Sequence, residues 1–374
     1  MNAALFRFSL HVVQRGVLLT FLAVGCLFSI FPVDDAWAQT KIAPPRNAAT
    51  VASSLAGQRF SATRQFSQEV SEDDAATIAE TAARAAAMQG VVRALVSLPE
   101  VRISSLVAPA SVSSPNLLAL AHATIKTSVL LVSKSRKTSA VTVTIVIDGD
   151  ADSPPLGARV REALVHTDRR ALYEAAVLRE KVLLEAFDTP PAERKKKHFQ
   201  ERNTGDMPET TTGIVNEIRA LNIFVTQLPS RDGLWKDPEA VYAAMRAALE
   251  LAPESAICRN AMGEAFLQMG RSQEAMEQQT RAIRYFPSFA RAYHSRGAAA
   301  LALGLHSSAI ADFSEAIRLS PRTPAYYRAR GMARHLSGET PAMCRDLYQA
   351  CTLGECDELQ WAVSNGYCPG NSPS

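Results

Sequence analysis

The sequence predicts an α+β protein: a small module of one strand, one helix and a β-hairpin, then an all-α array of helical hairpins that ends in a cap helix. Three observations predict this fold. Residues 74–98 are rich in alanine, with apolar side chains near helical spacing, and residues 140–148 alternate apolar and polar side chains as a strand does. Glycines and prolines return every 34 residues in the C-terminal third, a period typical of stacked helical hairpins that hold another molecule.

The composition is that of a modular protein of two or three domains, with 374 residues of which 47% are hydrophobic and 21% charged. The 40 basic residues nearly balance the 37 acidic ones. Nucleic acid is therefore not an expected partner, because phosphate binding needs a concentrated basic surface. The one dense basic run, residues 194–198, is flanked by Glu193 and Glu201, and we interpret it as a solvated linker or helix end.

Residues 1–38 have the pattern of a signal peptide. Arg7 and Arg15 supply positive charge, residues 16–31 are uncharged and apolar, and residues 36–38 form a small-x-small cleavage motif. We expect an exported protein, periplasmic or associated with the cell envelope, that contacts the membrane only through this segment if it is not cleaved. Two alternatives remain open: the segment is retained as an anchor, or Cys26, in a poor match to a lipobox, carries a lipid.

A short unstructured segment is expected between the signal and the module. Residues 39–58 contain Pro44 and Pro45 and no sustained period, which indicates a flexible lead-in. The module itself spans residues 59–150, and Ser71 with Asp74 makes a capping-box-like helix start. Its expected elements are a strand at 60–70, a helix at 74–98 packed on one face of the sheet, and strands at 124–132 and 140–148 joined by a turn at 133–138.

The helix of this module contains the segments AARAAA, from residue 82, and VRAL, from residue 92. A helix with repeated alanine and arginine before a hairpin resembles the small periplasmic domains of the flagellar-assembly and LPP20-like lipoprotein group. The resemblance covers the module alone. It implies an envelope-associated scaffold and assigns no site residues.

Residues 151–210 are expected to connect the module to the array. Pro154 and Pro155 end the last strand, Thr167 is an N-cap, and residues 168–187 carry apolar side chains along one side of a helix. Two more prolines and a charged segment up to residue 206 then indicate a hinge that divides the two domains.

Small residues recur in the C-terminal third where two helices of a hairpin must approach closely. This register closely resembles that of tetratricopeptide repeats, and it implies repeats at 256–289, 290–323 and 324–353. A degenerate hairpin at 211–255 precedes them, with helices at 212–228 and 238–252. The residues that carry the likeness are Gly263, Gly297, Gly331; Gly270, Gly304, Gly338; Ala275, Ala309; Ala282, Ala316, Ala350; and Pro253, Pro287, Pro321.

The third repeat departs from the register in two places. Met343 stands where alanine is usual, and Glu355 replaces the closing proline. We therefore expect this repeat to be terminal and to adjoin a different element, a cap at 354–374 whose helix covers residues 354–367.

Four cysteines crowd into the last 31 residues: Cys344, Cys351, Cys356 and Cys368. In an oxidising compartment such a cluster favours disulfides, and the absence of a C-x-x-C spacing argues against the alternative, a zinc site. If a cap helix runs back against the last repeat helix, Cys351 pairs with Cys356 and Cys344 with Cys368, the pairing we favour among three. Cys258 is expected to be a buried, small apolar residue.

The resemblance also implies a concave face lined by the first helix of each hairpin. On it we expect a basic strip of Arg291, His294 and Arg328 in a partly apolar groove, suited to a protein segment with an acidic group or a free carboxylate. Arg296 and Arg330, which precede glycines of the register, are expected to serve structure. The complete set of predicted groove residues is Asn260, Glu264, Arg291, His294, Arg328, Met332 and His335.

No motif for catalysis, metal or cofactor binding is found, since the seven histidines show no ligand spacing and no phosphate loop or nucleophile elbow occurs. We therefore expect a non-enzymatic scaffold or adaptor without a cofactor. The alternatives are a structural subunit of an envelope or motility assembly and, third, an enzyme with a site near His122 or His166.

Overall fold

A computed structural model describes residues 48–98, 101, 115–149, 155–165, 167–190, 193, 207–227 and 235–370. The chain divides into two compact units, Met1–Pro44 and Pro45–Ser374, and every described residue belongs to the second. The expected signal segment lies outside the described residues. The predicted fold class is confirmed: a small three-stranded sheet is combined with a largely helical chain.

The sheet consists of β1 (Arg59–Gln65), β2 (Thr127–Ser135) and β3 (Ala140–Ile147), in the antiparallel order β1-β3-β2. In the central strand β3, Val141, Val143, Ile145 and Ile147 are buried, as their alternation predicts. The first hairpin strand starts three residues later than expected, at Thr127, because Thr124 ends the helix before it, donating its hydroxyl to the Leu120 carbonyl at 2.8 Å.

Helix α2 (Glu72–Leu95), the long helix of the module, packs on β1 and β3. A complete capping box starts it: the Asp74 amide donates to Ser71 Oγ at 3.1 Å, and the Ser71 amide donates to the Asp74 carboxylate at 3.4 Å. Its buried face, including Met88, Val91 and Leu95, supplies much of the module's core.

Three helices lie in stretches that the sequence analysis left irregular. They are α1 (Ala48–Leu55), α3 (Pro115–Thr124) and α4 (Leu156–Val165). The prediction of a flexible lead-in at 39–58 is wrong for α1, because Val51 and Leu55, one helical turn apart, are buried in the module's core and α1 contacts α4. These helices are too short to show a clear period, and packing rather than propensity stabilises them.

The expected connecting helix is α5 (Thr167–Phe187), and it does more than connect. It contacts α2 and α3 of the module as well as α6 (Thr211–Thr226) of the array. Ile78 of α2 lies in the same hydrophobic core as Ile214 of α6, and Arg219 pairs with Asp74 at 2.8 Å. The prediction of two domains divided by a hinge is therefore corrected to a continuous packed boundary; most of the expected hinge lies outside the described residues.

The array continues from α6 with α7 (Pro238–Leu251), the degenerate hairpin. Three regular hairpins and a cap helix follow, namely α8 (Ala256–Gln268) with α9 (Ser272–Tyr285), α10 (Ala290–Ala302) with α11 (His306–Leu319), α12 (Pro324–Leu336) with α13 (Thr340–Thr352), and then α14 (Asp357–Ser364). In the part of the chain that the structure describes, no helix is both long and apolar enough to cross a bilayer.

Glycine is required for two different reasons in the middle hairpin. At Gly297 a Cβ atom would lie 2.7 Å from the ring of Phe313, so the two helices approach too closely for any side chain. Gly304 ends α10 with a φ of 73°, a left-handed conformation that glycine adopts without steric cost.

Candidate functional site

The first helices of the four hairpins form one side of the array. Helix α8 contacts α6 and α10, and α10 in turn contacts α12, so α6, α8, α10 and α12 make a continuous surface. We call this surface the concave face. The predicted groove residues lie on the α8, α10 and α12 part of it.

Helix α5 lies against the concave face, contacting α6, α8 and α12. Val182 and Leu183 of α5 share a hydrophobic core with Ile257 of α8. Arg179 of α5 donates two hydrogen bonds, both 2.7 Å long, to the two carboxylate oxygens of Glu217 in α6, and both side chains are buried. The sequence analysis assigned α5 to a connector and missed that it covers part of the face.

Asn260 is not a groove residue. It is fully buried, and its Nδ2 donates to Gln279 Oε1 at 2.8 Å and to Ser295 Oγ at 3.3 Å. Gln279, fully buried in α9, donates back to the Asn260 carbonyl at 3.0 Å. Asn260 therefore joins three helices, and the prediction that it contacts a ligand is wrong.

Glu264 and Arg291 form an ion pair across α8 and α10. Arg291 Nε donates to Glu264 Oε1 at 2.8 Å, and the Ser295 hydroxyl donates to the same oxygen at 2.9 Å. Both charged side chains are largely buried. His294, one turn along α10, is half-buried, with its ring 5.6 Å from the ring of Phe313 and 5.0 Å from that of Tyr326.

Two of the three predicted residues on α12, Arg328 and His335, contact the C-terminal cap. Arg328 Nη1 donates to Glu358 Oε1 at 3.1 Å, and its Nε lies 3.4 Å from Glu355 Oε2. His335 packs edge-on against Trp361 and Tyr367, with ring centroids 5.4 and 4.9 Å apart. Met332 is half-buried on the same helix.

These contacts correct the picture of an open basic strip. Arg291 faces Glu264, while Arg328 faces two carboxylates of the cap. The sequence analysis had placed Glu264 in the groove but had not paired it with Arg291, and it had not foreseen Glu355 and Glu358 as partners of Arg328. At both arginines, carboxylates of the chain itself therefore already hold the guanidinium group.

Comparison with protein-family models matches residues 290–323 to the tetratricopeptide repeat. These residues of the array form a tetratricopeptide repeat. The matched segment coincides with the second predicted repeat, α10 and α11, whose glycines and alanines carry the register.

Solved structures of such repeats are similar to this chain at low identity. The second repeat domain of Spaghetti (RPAP3), bound to the HSP90 peptide SRMEEVD, is 24% identical, covers 30% of this chain and 98% of its own, and has a TM-score of 0.26. A crystal structure of MamA is 20% identical to this chain, and the match covers 46% of this chain and 95% of MamA, with a TM-score of 0.31. For MamA 41-end from Desulfovibrio magneticus RS-1 the identity is 15%, the match covers 48% of this chain and 94% of that one, and the TM-score is 0.32. No curated protein matches the chain.

Two hairpins of the array each contain an equivalent arginine–aspartate ion pair, which the sequence analysis missed. Arg296 donates to both oxygens of Asp312 at 2.9 and 2.7 Å, and Arg330 does the same to Asp346 at 2.9 and 2.8 Å. Each pair joins the two helices of one hairpin. The signal was present, because an aspartate follows the arginine after 16 residues in both repeats.

The four clustered cysteines form two disulfides in the structure. Cys344 bonds to Cys368 and Cys351 to Cys356, which are the nested pairs that the sequence favours. The first tethers the segment after α14 to α13, where Met343, Leu347 and Ala362 form a small buried cluster. Cys258 is a buried free thiol, and burial raises its pKa to about 12.

His122, named in the enzyme hypothesis, lies in a buried polar cluster where α2, α3 and α5 meet. Burial lowers its pKa to about 4, with a further contribution from the positive charge of Arg84. Arg84 donates to Asn222 Oδ1 at 2.7 Å and to Glu80 Oε1 at 2.6 Å. Glu180 of α5 is also buried, which raises its pKa to about 7 against the opposing effect of Arg84. His166 lies outside the described residues.

Proposed function

We propose that this chain is an exported, non-enzymatic interaction scaffold whose concave face binds a segment of another protein. The observation that carries this proposal is that the face already holds a helix, α5, against α6, α8 and α12. A surface that packs one helix of its own chain has the shape and apolar character to receive a second segment.

The C-terminal part of the face is the proposed binding position. The side chain of Arg328 is 39% exposed and that of Arg291 only 11%, so Arg328 is the arginine that a ligand reaches first. Next to it, His335, Trp361 and Tyr367 form an aromatic cluster, in which Trp361 and Tyr367 are exposed. We propose a ligand with a carboxylate for Arg328 and an apolar or aromatic side chain for this cluster.

Export is supported by the signal-like residues 1–38 and by the two disulfides, which persist in oxidising compartments. A non-enzymatic role is supported by the match of residues 290–323 to the tetratricopeptide repeat, since repeat arrays present extended binding surfaces. The second candidate, a structural subunit of an envelope assembly, is favoured by a different observation: four consecutive exposed apolar residues on β2.

The test uses a library of fluorescent peptides that end in aspartate or glutamate, each prepared with a free and with an amidated C-terminus. We expect Arg328→Glu, alone and with Arg291→Glu, to abolish the binding that the wild-type chain shows, and amidation to weaken it. The matched control is Arg271→Glu with Arg318→Glu, two exposed arginines, one just before α9 and one in α11, that pair locally with Glu274 and Glu315. Equal peptide binding by both double variants, with helicity preserved, contradicts the proposal.

The same variants also test whether the concave face binds a partner protein in the cell. Crosslinking in the native envelope, followed by mass spectrometry, should recover a partner with wild-type and control chains and lose it with the Arg328 variants. An unchanged set of crosslinked proteins contradicts a role of the concave face and leaves the assembly subunit as the better description.

A further inference from the structure

Strand β2 is an edge strand with apolar side chains exposed on both faces. Val129, Leu130, Leu131 and Val132 are 46%, 47%, 58% and 44% exposed. The opposite edge, β1, differs: its exposed positions are Arg59, Ser61, Thr63 and Gln65, and its other side chains are half-buried. An exposed apolar edge is a template for another strand, and soluble proteins usually protect it.

The exposure of β2 follows from where α2 lies and from a bulge. Helix α2 packs mainly on β1 and β3, so the side of β2 that continues this face is left uncovered. Val129 pairs with Ile145 and Val132 with Val143, two buried residues of the α2 face. Leu131 pairs with Thr144 on the open face, and Leu130 is the extra residue of the bulge.

The sequence of β2 is a palindrome around this bulge: residues 128–133 read Ser-Val-Leu-Leu-Val-Ser. In a two-fold antiparallel pair, residue i of one copy faces residue j of the other and j faces i, so such a strand is complementary to itself. Placing the axis between Leu130 and Leu131 sets valine against valine and serine against serine.

In a regular strand this register is forbidden, because residues three apart point to opposite faces. The bulge removes the obstacle. Val129 and Val132 both lie on the α2 face and Ser128 and Ser133 both on the open face, as their partners in β3 show. The bulge and the palindrome have the same centre. The palindrome sets like residues opposite each other, and the bulge turns the paired side chains to the same face, so the pairing needs both.

Polarity separates this register from the two registers that are shifted by two residues. With the axis between Leu130 and Leu131, Lys134 faces Thr127 of the other copy. Shifting the strands by two residues in one direction sets Val129 against Lys134. Shifting them in the other direction sets Ser128 against Leu131 and Thr127 against Val132. Of these three registers, the palindromic one alone pairs all four apolar residues with apolar residues.

We propose that β2 is a homodimerisation strand: two copies of this chain join their sheets through antiparallel β2 strands, giving a six-stranded sheet in the order β1-β3-β2-β2-β3-β1. One strand pair buries less than the roughly 800 Å² per partner of a standard interface. The dimer is therefore reversible and depends on protein concentration. This inference stands apart from the proposed function of the concave face.

The first experiment measures the sedimentation of the purified full chain over a range of concentrations. We expect a monomer–dimer equilibrium whose dissociation constant rises by at least about tenfold in Leu131→Lys, because a buried apolar contact is replaced by a charge. The matched control is Leu336→Lys, at a leucine of α12 that is 55% exposed and so is nearly as accessible as Leu131. A monomer at every concentration, or an equal effect of both substitutions, overturns the proposal.

The second experiment tests the register. Val129→Cys and Val132→Cys chains should form an intermolecular disulfide when mixed and oxidised, and neither should do so efficiently alone. Among the described residues the native cysteines do not compete, since Cys258 is buried and the others are paired; Cys26 is replaced by serine in both chains. Crosslinking of either variant with itself to the same extent as in the mixture overturns the register. Protection of both cysteines from alkylation at all dilutions shows that another part of the same chain covers β2, and it overturns the dimer.

Discussion

Replacing Glu180 by glutamine is expected to stabilise the protein above neutral pH and to make it sensitive to acid. Glu180 is buried at the boundary between α5 and the module, and the cost of burying its charge raises its pKa from 4.5 to about 7. Glutamine has nearly the same shape and resembles the protonated acid, so it removes the charge without opening a cavity.

The magnitude follows from the pKa difference between the folded and the unfolded chain. At about 1.36 kcal/mol per pKa unit, the change from 4.5 to about 7 corresponds to about 3 kcal/mol. A carboxyl group with a raised pKa contributes stability that is complete below pH 4.5 and lost as the pH rises through 7. Glu180→Gln should therefore raise the free energy of unfolding by up to about 3 kcal/mol at about pH 8 and change little at about pH 4.

His122 has the opposite effect on stability. Its pKa is lowered from 6.5 to about 4, so it contributes stability that is complete above 6.5 and lost as the pH falls through 4. As the pH of the wild-type chain falls from 6.5 to 4.5, the two effects offset each other, because the stability contributed by Glu180 increases while that contributed by His122 decreases. Without the Glu180 carboxyl, the loss from His122 appears alone, again about 3 kcal/mol between pH 6.5 and 4.

Urea unfolding followed by circular dichroism at several pH values measures both effects. The control is Glu185→Gln, a half-buried glutamate on the same helix. The reasoning is refuted if Glu180→Gln is less stable than the wild type above neutral pH, or if both chains lose stability equally on acidification.

Three further predictions concern the array. Gly297→Ala should lower the free energy of unfolding by about 1–3 kcal/mol in thermal unfolding, because its Cβ would meet the Phe313 ring at 2.7 Å; an unchanged stability means that the ring moves aside freely. Asp346→Asn should cost about 3 kcal/mol in chemical unfolding, and more than Asp312→Asn, because Asp346 is buried and accepts hydrogen bonds from both Arg330 and Arg334; the reverse order contradicts the network. Mass spectrometry of the unreduced protein should show the Cys344–Cys368 and Cys351–Cys356 bonds; free thiols or stoichiometric zinc there contradict the assignment.

The repeat register predicted the array because the size of the residue at each register position depends on the side chain that packs against it. Gly297 is small because Phe313 lies against it, and Met343 is large because the cap, not another repeat, packs beside it. Such positions carry the same information in every repeat, which is why three hairpins and a terminal element were visible in the sequence. The helices α1, α3 and α4 left no comparable signal, because their stability comes from packing against distant parts of the chain.

The site was less predictable because the register shows which residues lie on the first helices, but not which other side chains pack against them. Asn260 holds a position that faces the groove in tetratricopeptide repeats, yet the buried Gln279 of this chain draws it into the core. Arg328 was placed correctly on α12, but Glu355 and Glu358 come from the cap, which has no counterpart in the repeat pattern. Contacts made by elements outside the repeat cannot be read from the repeat.

The internal pairing of Arg328 changes what an acidic partner must supply. When its carboxylate replaces Glu355 or Glu358 at Arg328, one ion pair is exchanged for another, and the displaced glutamate returns to water. Exposed ion pairs contribute little free energy in either state. In the proposed complex, affinity must therefore come mainly from apolar contact with His335, Trp361 and Tyr367, while the arginine decides the direction in which the segment lies.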